Sequence, residues 1–264
     1  RALYVAARRG YDVPASALAA TGAWLATPAR WDENKGDPGF SDKRLAAAQF
    51  AAALLAAHEN GQPVAPAALA QAARKLAAAQ TPDGAWPIDQ GTTLGSPATW
   101  GTSLATWMAL RLLRAAALPE TNTAARRAAL YLTRLEANNV MNAAVIWLAL
   151  ARDRGARRQR AAAWRMLRRA QTRDGGWGPY ADAPPETFDT ALVLLALDAA
   201  RQAGMKDGMR EMIARGRRFL IAGQTADGSW PATTRPSGGD SYAQMMSTTA
   251  WATLALLATE QTGN

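Results

Sequence analysis

Few groups in this chain could do chemistry. Glu186, Asp189 and Asp240 are carboxylates at or just before the starts of apolar helical runs. Two such carboxylates could serve as acid and base on a glycosidic bond, given about 5–5.5 Å between them for retention or about 6.5–9.5 Å for inversion. Tyr242, Gln244 and Thr102 could add hydrogen bonds, and Trp100 and Trp107 could add flat apolar surface. There is no Cys, and His58 is the single His. Thiolate nucleophiles, disulfides and thiolate or multi-histidine metal sites are therefore excluded, and no metal or cofactor is expected. His58 precedes Glu59-Asn60-Gly61, a helix-end signature, and reads as a surface group facing the helix dipole. Ser237-Gly-Gly-Asp240 is a flexible loop that lacks the Lys expected after a phosphate cradle.

The elements that must position these groups are helical. About a quarter of the 264 residues are Ala, the best helix former, and the length suits one large or two small domains. Amphipathic or apolar periodicity predicts helices near 2–9, 14–27, 43–60, 65–80, 97–117, 121–137, 140–154, 157–172, 185–203, 208–224 and 243–259. They alternate in type. In 157–172, Arg157, Arg158, Arg165, Arg168 and Arg169 share one third of the wheel, opposite Trp164, Met166 and Leu167. In 185–203, Ala191-Leu-Val-Leu-Leu-Ala-Leu197 is apolar all round and predicts a buried helix.

One phrase, Q-T-x-D-G-x-W, occurs three times: Gln80, Asp83, Gly84 and Trp86; Gln171, Asp174, Gly175 and Trp177; Gln224, Asp227, Gly228 and Trp230. Asp-Gly predicts a tight turn, Gln a bond to helix-end carbonyls, and Trp an apolar cover with one N–H donor. These are expected to be structural ties between outer-helix ends and inner-helix starts. Alternating outer and inner helices predict an all-α (α/α) toroid, with up to six pairs in two layers and one domain over 1–264. Residues at the starts of its inner helices would face the central opening. That makes Trp100, Thr102, Glu186, Asp189, Asp240, Tyr242 and Gln244 pocket candidates, with Trp107 deeper. Asp189 keeps two readings, a first-turn carboxylate favoured by the helix dipole or a pocket acid. Trp100 and Trp107 are likewise either core or ligand platform.

The repeated phrase before an apolar inner helix resembles the QW repeat of squalene–hopene and oxidosqualene cyclases, within the wider terpenoid-cyclase and protein-prenyltransferase toroid group. Ser247-Thr-Thr-Ala-Trp-Ala-Thr-Leu-Ala-Leu256 is similar to a helix of that family, and Glu186-Thr-Phe-Asp-Thr-Ala191 to its D-x-D-D-T-A segment. The resemblance implies a cyclase-like fold over most of the chain from about residue 40. It also implies that the middle Asp of D-x-D-D, the proton donor, is here Phe188, so protonation-initiated cyclisation by that route is not expected. The zinc site of the prenyltransferases needs a Cys that this chain lacks, and no D-D-x-x-D segment exists to hold a diphosphate.

The net charge is +9, mostly from Arg. The Arg152 to Arg169 stretch reads as a solvated face, and no nucleic-acid partner is expected because Trp164 lies on the dry side. No apolar run reaches the length of a membrane span. The chain starts at Arg1 without a signal-peptide pattern and reads as processed, with export one option for its compartment. Oligomeric state stays open. The leading expectation is a cyclase-like repeat domain of unassigned activity that binds an apolar, isoprenoid-type small molecule, lipid or partner segment in its central opening. A carbohydrate-cleaving enzyme on the same ring and a structural interaction module are the alternatives.

Overall fold

The computed structural model describes residues 1–33, 43–88, 94–205, 208–235 and 241–260. Among them the chain is all-helical apart from one isolated bridge between Trp177 and Glu186. The helices are α1 Ala2–Arg8, α2 Ala15–Leu25, α3 Lys43–Glu59, α4 Pro66–Ala79, α5 Gly101–Ala116, α6 Asn122–Thr133, α7 Val140–Leu150, α8 Arg157–Ala170, α9 Thr187–Gln202, α10 Met209–Ala222 and α11 Tyr242–Ala258. A 3-10 stretch, Pro28–Glu33, follows α2. No helix of the described residues is long and apolar enough to cross a membrane.

The ends of the helices follow from local chemistry. Pro66 opens α4, where its missing N–H costs nothing. The Asn139 side chain caps α7 by accepting from the Asn142 N–H at 2.8 Å. Ser241 caps α11 by accepting from the Gln244 N–H at 3.2 Å. The periodicity predicts a start near residue 97 for α5, yet it begins at Gly101. Trp100 and Gly101 both take positive φ, 65° and 72°, which helix cannot continue through. Ser96 and Thr99 bond each other's backbone N–H just before, holding the chain in a turn.

The chain divides into two compact units, Arg1–Thr93 with Gly101–Tyr131, and Leu94–Trp100 with Leu132–Asn264. In the first, α3 packs on α5, α4 covers both, and α2 and α1 lean on α3. In the second, α9 lies against both α7 and α11, with α8 on α7 and α10 on α9. Each unit thus places apolar helices beside one another and amphipathic ones on their flank. The all-apolar run of α9 is buried except at half-buried Leu195: Ala191, Leu192, Val193, Leu194, Ala196 and Leu197 expose nothing. On α8, Arg157, Arg158, Arg165, Arg168 and Arg169 are exposed while Leu167 is buried.

The three repeated turns are built alike. Each Gln donates through Nε2 to a carbonyl within its own turn: Gln80 to Gly84 at 3.0 Å, Gln171 to Gly175 at 2.9 Å, Gln224 to Gly228 at 2.9 Å. Each Trp indole N–H reaches back ten residues to the preceding outer helix: Trp86 to Leu76 O at 3.1 Å, Trp177 to Leu167 O at 2.8 Å, Trp230 to Leu220 O at 2.7 Å. Each Trp backbone N–H donates to a Thr hydroxyl on the next inner helix, namely Thr106, Thr190 and Thr249. The Asp-Gly glycines sit at φ 94°, 94° and 85°, the left-handed region where a side chain is strained. In the first two copies the Gln amide also donates to the following outer helix, to Ala124 O of α6 at 2.9 Å and to Met212 O of α10 at 3.0 Å. The fold therefore ties one outer helix, the next inner helix and the next outer helix through a seven-residue phrase.

Candidate functional site

The candidate groups that come together lie in the second unit, where α9 and α11 start. The segment after Trp230 runs between them. Thr233 donates its N–H to Thr248 Oγ1 on α11 at 3.1 Å, and its own Oγ1 accepts from the Phe188 N–H on α9 at 3.3 Å. Two residues later Arg235 turns inward. Its Nη2 lies 2.8 Å from Glu186 Oε2 and also donates to Asp189 Oδ2, and its Nη1 donates to the Gly95 carbonyl. One guanidinium thus bridges two carboxylates and a backbone carbonyl, the fork geometry that Arg allows and Lys does not. The Arg235 side chain is 11% exposed, Glu186 32% and Asp189 0%, so water reaches the cluster from the Glu186 side.

An aromatic wall lines the cluster. The Phe188 ring packs edge-on to Trp251 at 5.6 Å between centroids, and Trp251 edge-on to Trp100 at 5.9 Å. The Arg235 guanidinium lies 5.8 Å from the centre of Phe188. All three rings are buried. Among the described residues two buried acceptors have no partner: Asp189 Oδ1 and, on the first turn of α11, Gln244 Oε1. Gln244 joins the cluster through the backbone, since its carbonyl accepts from Thr248 Oγ1 at 2.8 Å.

The electrostatics follow from one cation serving two anions. With both carboxylates ionised the trio carries a net −1 in a mostly dry place. Burial pushes the Asp189 carboxyl up to about 7; Arg235 opposes the rise and the Glu186 charge adds to it. Oδ2 faces the guanidinium, Oδ1 has no partner among the described residues, and a hydrogen bond with Glu186 also favours a proton on Asp189. The site can therefore offer a hydrogen-bond donor or an acceptor at Asp189 near neutral pH.

The other candidates lie elsewhere. Tyr242, the first residue of α11, is 74% exposed. Thr102 and Trp107 belong to α5 in the first unit. The Thr102 hydroxyl accepts from the Ile88 N–H at 3.2 Å, and Trp107 is half-buried with the Arg111 guanidinium 5.4 Å from its ring centre. Asp240 and the loop Ser237 to Asp240 lie outside the described residues. Arg235 and Trp251 are the members that sequence reasoning missed. Arg235 is the lone charge between Trp230 and Asp240, with no repeat or helix period to show what it meets.

Residues 120–222 match the squalene-hopene cyclase N-terminal domain family. The match covers less than half of the chain and supports a squalene-hopene cyclase-like relationship for that part. It spans α7, α8, α9 and the second repeated turn, and it includes Glu186, Phe188 and Asp189. No curated protein matches the chain.

Proposed function

We propose that this cyclase-like repeat domain binds an apolar, isoprenoid-type ligand carrying a hydroxyl head, without protonation-initiated cyclisation. The carrying observation is the placement of Phe188. The ring at the position equivalent to the family's proton donor packs against Trp251 beside Arg235, next to a carboxyl oxygen without a partner among the described residues. The buried rings make one side of the site apolar, and Asp189 Oδ1 would partner the head group. A hydroxyl suits that oxygen whether it is protonated or not, because a hydroxyl both donates and accepts. A carbohydrate-cleaving reading has less support, since Glu186 and Asp189 are both engaged by the Arg235 guanidinium.

The test is native mass spectrometry and tryptophan fluorescence with a series of isoprenoid alcohols and the matching hydrocarbons. The alcohols should bind more tightly, and Asp189→Asn should narrow the difference between the two series. Incubation with squalene should return it unchanged. Absence of binding across both series, or appearance of a cyclised product, would overturn the reading.

A further inference from the structure

The third repeated turn differs from the other two in what covers it. In the first, the Gln80 amide holds Ala124 O of α6, and a Cβ built on Gly84 would come 2.4 Å from Arg127 O. In the second, Gln171 holds Met212 O of α10, and a Cβ on Gly175 would come 2.6 Å from Arg215 O. Both contacts involve the start of an outer helix, a carbonyl and a second one three residues on, and the second residue is Arg in both. Arg215 returns the bond through Nη2, to Thr172 O at 2.6 Å and Arg173 O at 3.2 Å. Gly84 and Gly175 are consequently buried.

The third turn has the same internal bonds and none of this cover. Among the described residues Gln224 Nε2 bonds only Gly228 O, and a Cβ on Gly228 would meet nothing nearer than Gln224 Nε2 at 3.9 Å. Residues 221–228 are all exposed, including Ile221 at 55%. The carbonyls of Thr225 and Ala226, counterparts of Thr172 and Arg173, face no guanidinium among the described residues. At Gly228 the positive φ is the one local reason for glycine, whereas in the two covered copies the close carbonyl adds a second.

We propose that the third turn is a receptor for the first two turns of one further amphipathic helix of the outer type. That partner would present a free carbonyl to the Gln224 amide. Three residues on it would carry an Arg whose backbone lies over Gly228 and whose side chain reaches the Thr225 and Ala226 carbonyls. The carbonyl and the close backbone are common to both covered turns, the guanidinium contact follows Arg215 of the second alone, and neither depends on a ligand at Asp189.

The probe is a labelled peptide of residues 119–136, which holds the helix that covers the first turn, added to the intact chain. Binding is read by fluorescence anisotropy, and hydrogen exchange is followed over 224–230. Wild type should bind it, and amides 224–230 should become protected. Gln224→Ala should weaken binding tenfold or more. Gly228→Ala should do the same with little loss of folding, since its Cβ has room until a partner arrives. A peptide with Arg127 replaced by Ala should also bind less well. The proposal is overturned if wild type fails to bind, or if neither Gln224→Ala nor Gly228→Ala weakens binding. It is equally overturned if sedimentation shows the chain covering this turn with a second copy of itself. Failure here leaves the isoprenoid reading untouched, because alcohol binding is measured at Asp189.

Discussion

Replacing Arg235 by Met would leave Glu186 and Asp189 facing each other without their shared cation. Breaking a buried pair from one side costs about 3–5 kcal/mol, and chemical denaturation should show a loss of that order. Arg235→Lys should recover little, because an ammonium cannot reach two carboxylates and the Gly95 carbonyl with one planar fork. Asp189 makes a second prediction, with a definite sign. Its folded pKa of about 7 lies above the ordinary carboxylate value of about 3.9. Between those values the native state holds a proton that the unfolded chain does not, so stability falls as pH rises from about 4 to about 7. Asp189→Asn should flatten that slope in denaturant titrations at pH 5 and pH 8. Glu186, Asp189, Trp100 and Gln244 were legible in the sequence because inner-helix starts follow from periodicity. Arg235 was not, since it stands in an extended segment with no repeat or helix period to locate it, and only the fold shows which carboxylates it meets.

At the level of elements, the repeated turns make unequal demands. Ala at Gly84 or Gly175 would drive a Cβ into a backbone carbonyl at 2.4 or 2.6 Å as well as straining φ. Each change should cost several times the roughly 1 kcal/mol expected of Gly228→Ala from backbone strain alone. Thermal melts of the three single variants would rank them. Trp177→Phe removes the N–H bonded to Leu167 O and leaves that buried carbonyl unmet, which should cost about 1–3 kcal/mol in a denaturant melt. The phrase itself was readable, and so was its structural role. Two details were not. The Gln bonds its own turn and the next outer helix, a pairing that depends on how the helices pack. On α5 the Thr bonded to the Trp backbone is Thr106, one turn beyond Thr102, because the longer loop after Trp86 shifts the register.

Taken as a whole, the molecule is unevenly protected: α3 and α5 of the first unit and α7 and α9 of the second hold its most buried residues. By contrast, α1 and α2 are mostly half-buried or exposed. Amides of α3, α5, α7 and α9 should therefore exchange slowest and those of α1 and α2 fastest, by hydrogen exchange with mass spectrometry. The alternation of wet and dry helices was visible along the sequence because 3.6-residue periodicity records which face each helix buries. The division into two compact units was not, since no Gly- or Pro-rich linker marks it and it passes through α6.

The latches at Gln80 and Gln171 also set how the chain would yield to tension. Each fastens an outer helix to the one after it, so a pull on the two ends should be borne latch by latch, giving discrete rips in a force–extension trace. At Gln224, whose amide bonds its own turn but no following outer helix among the described residues, no such latch exists, and that end should part first.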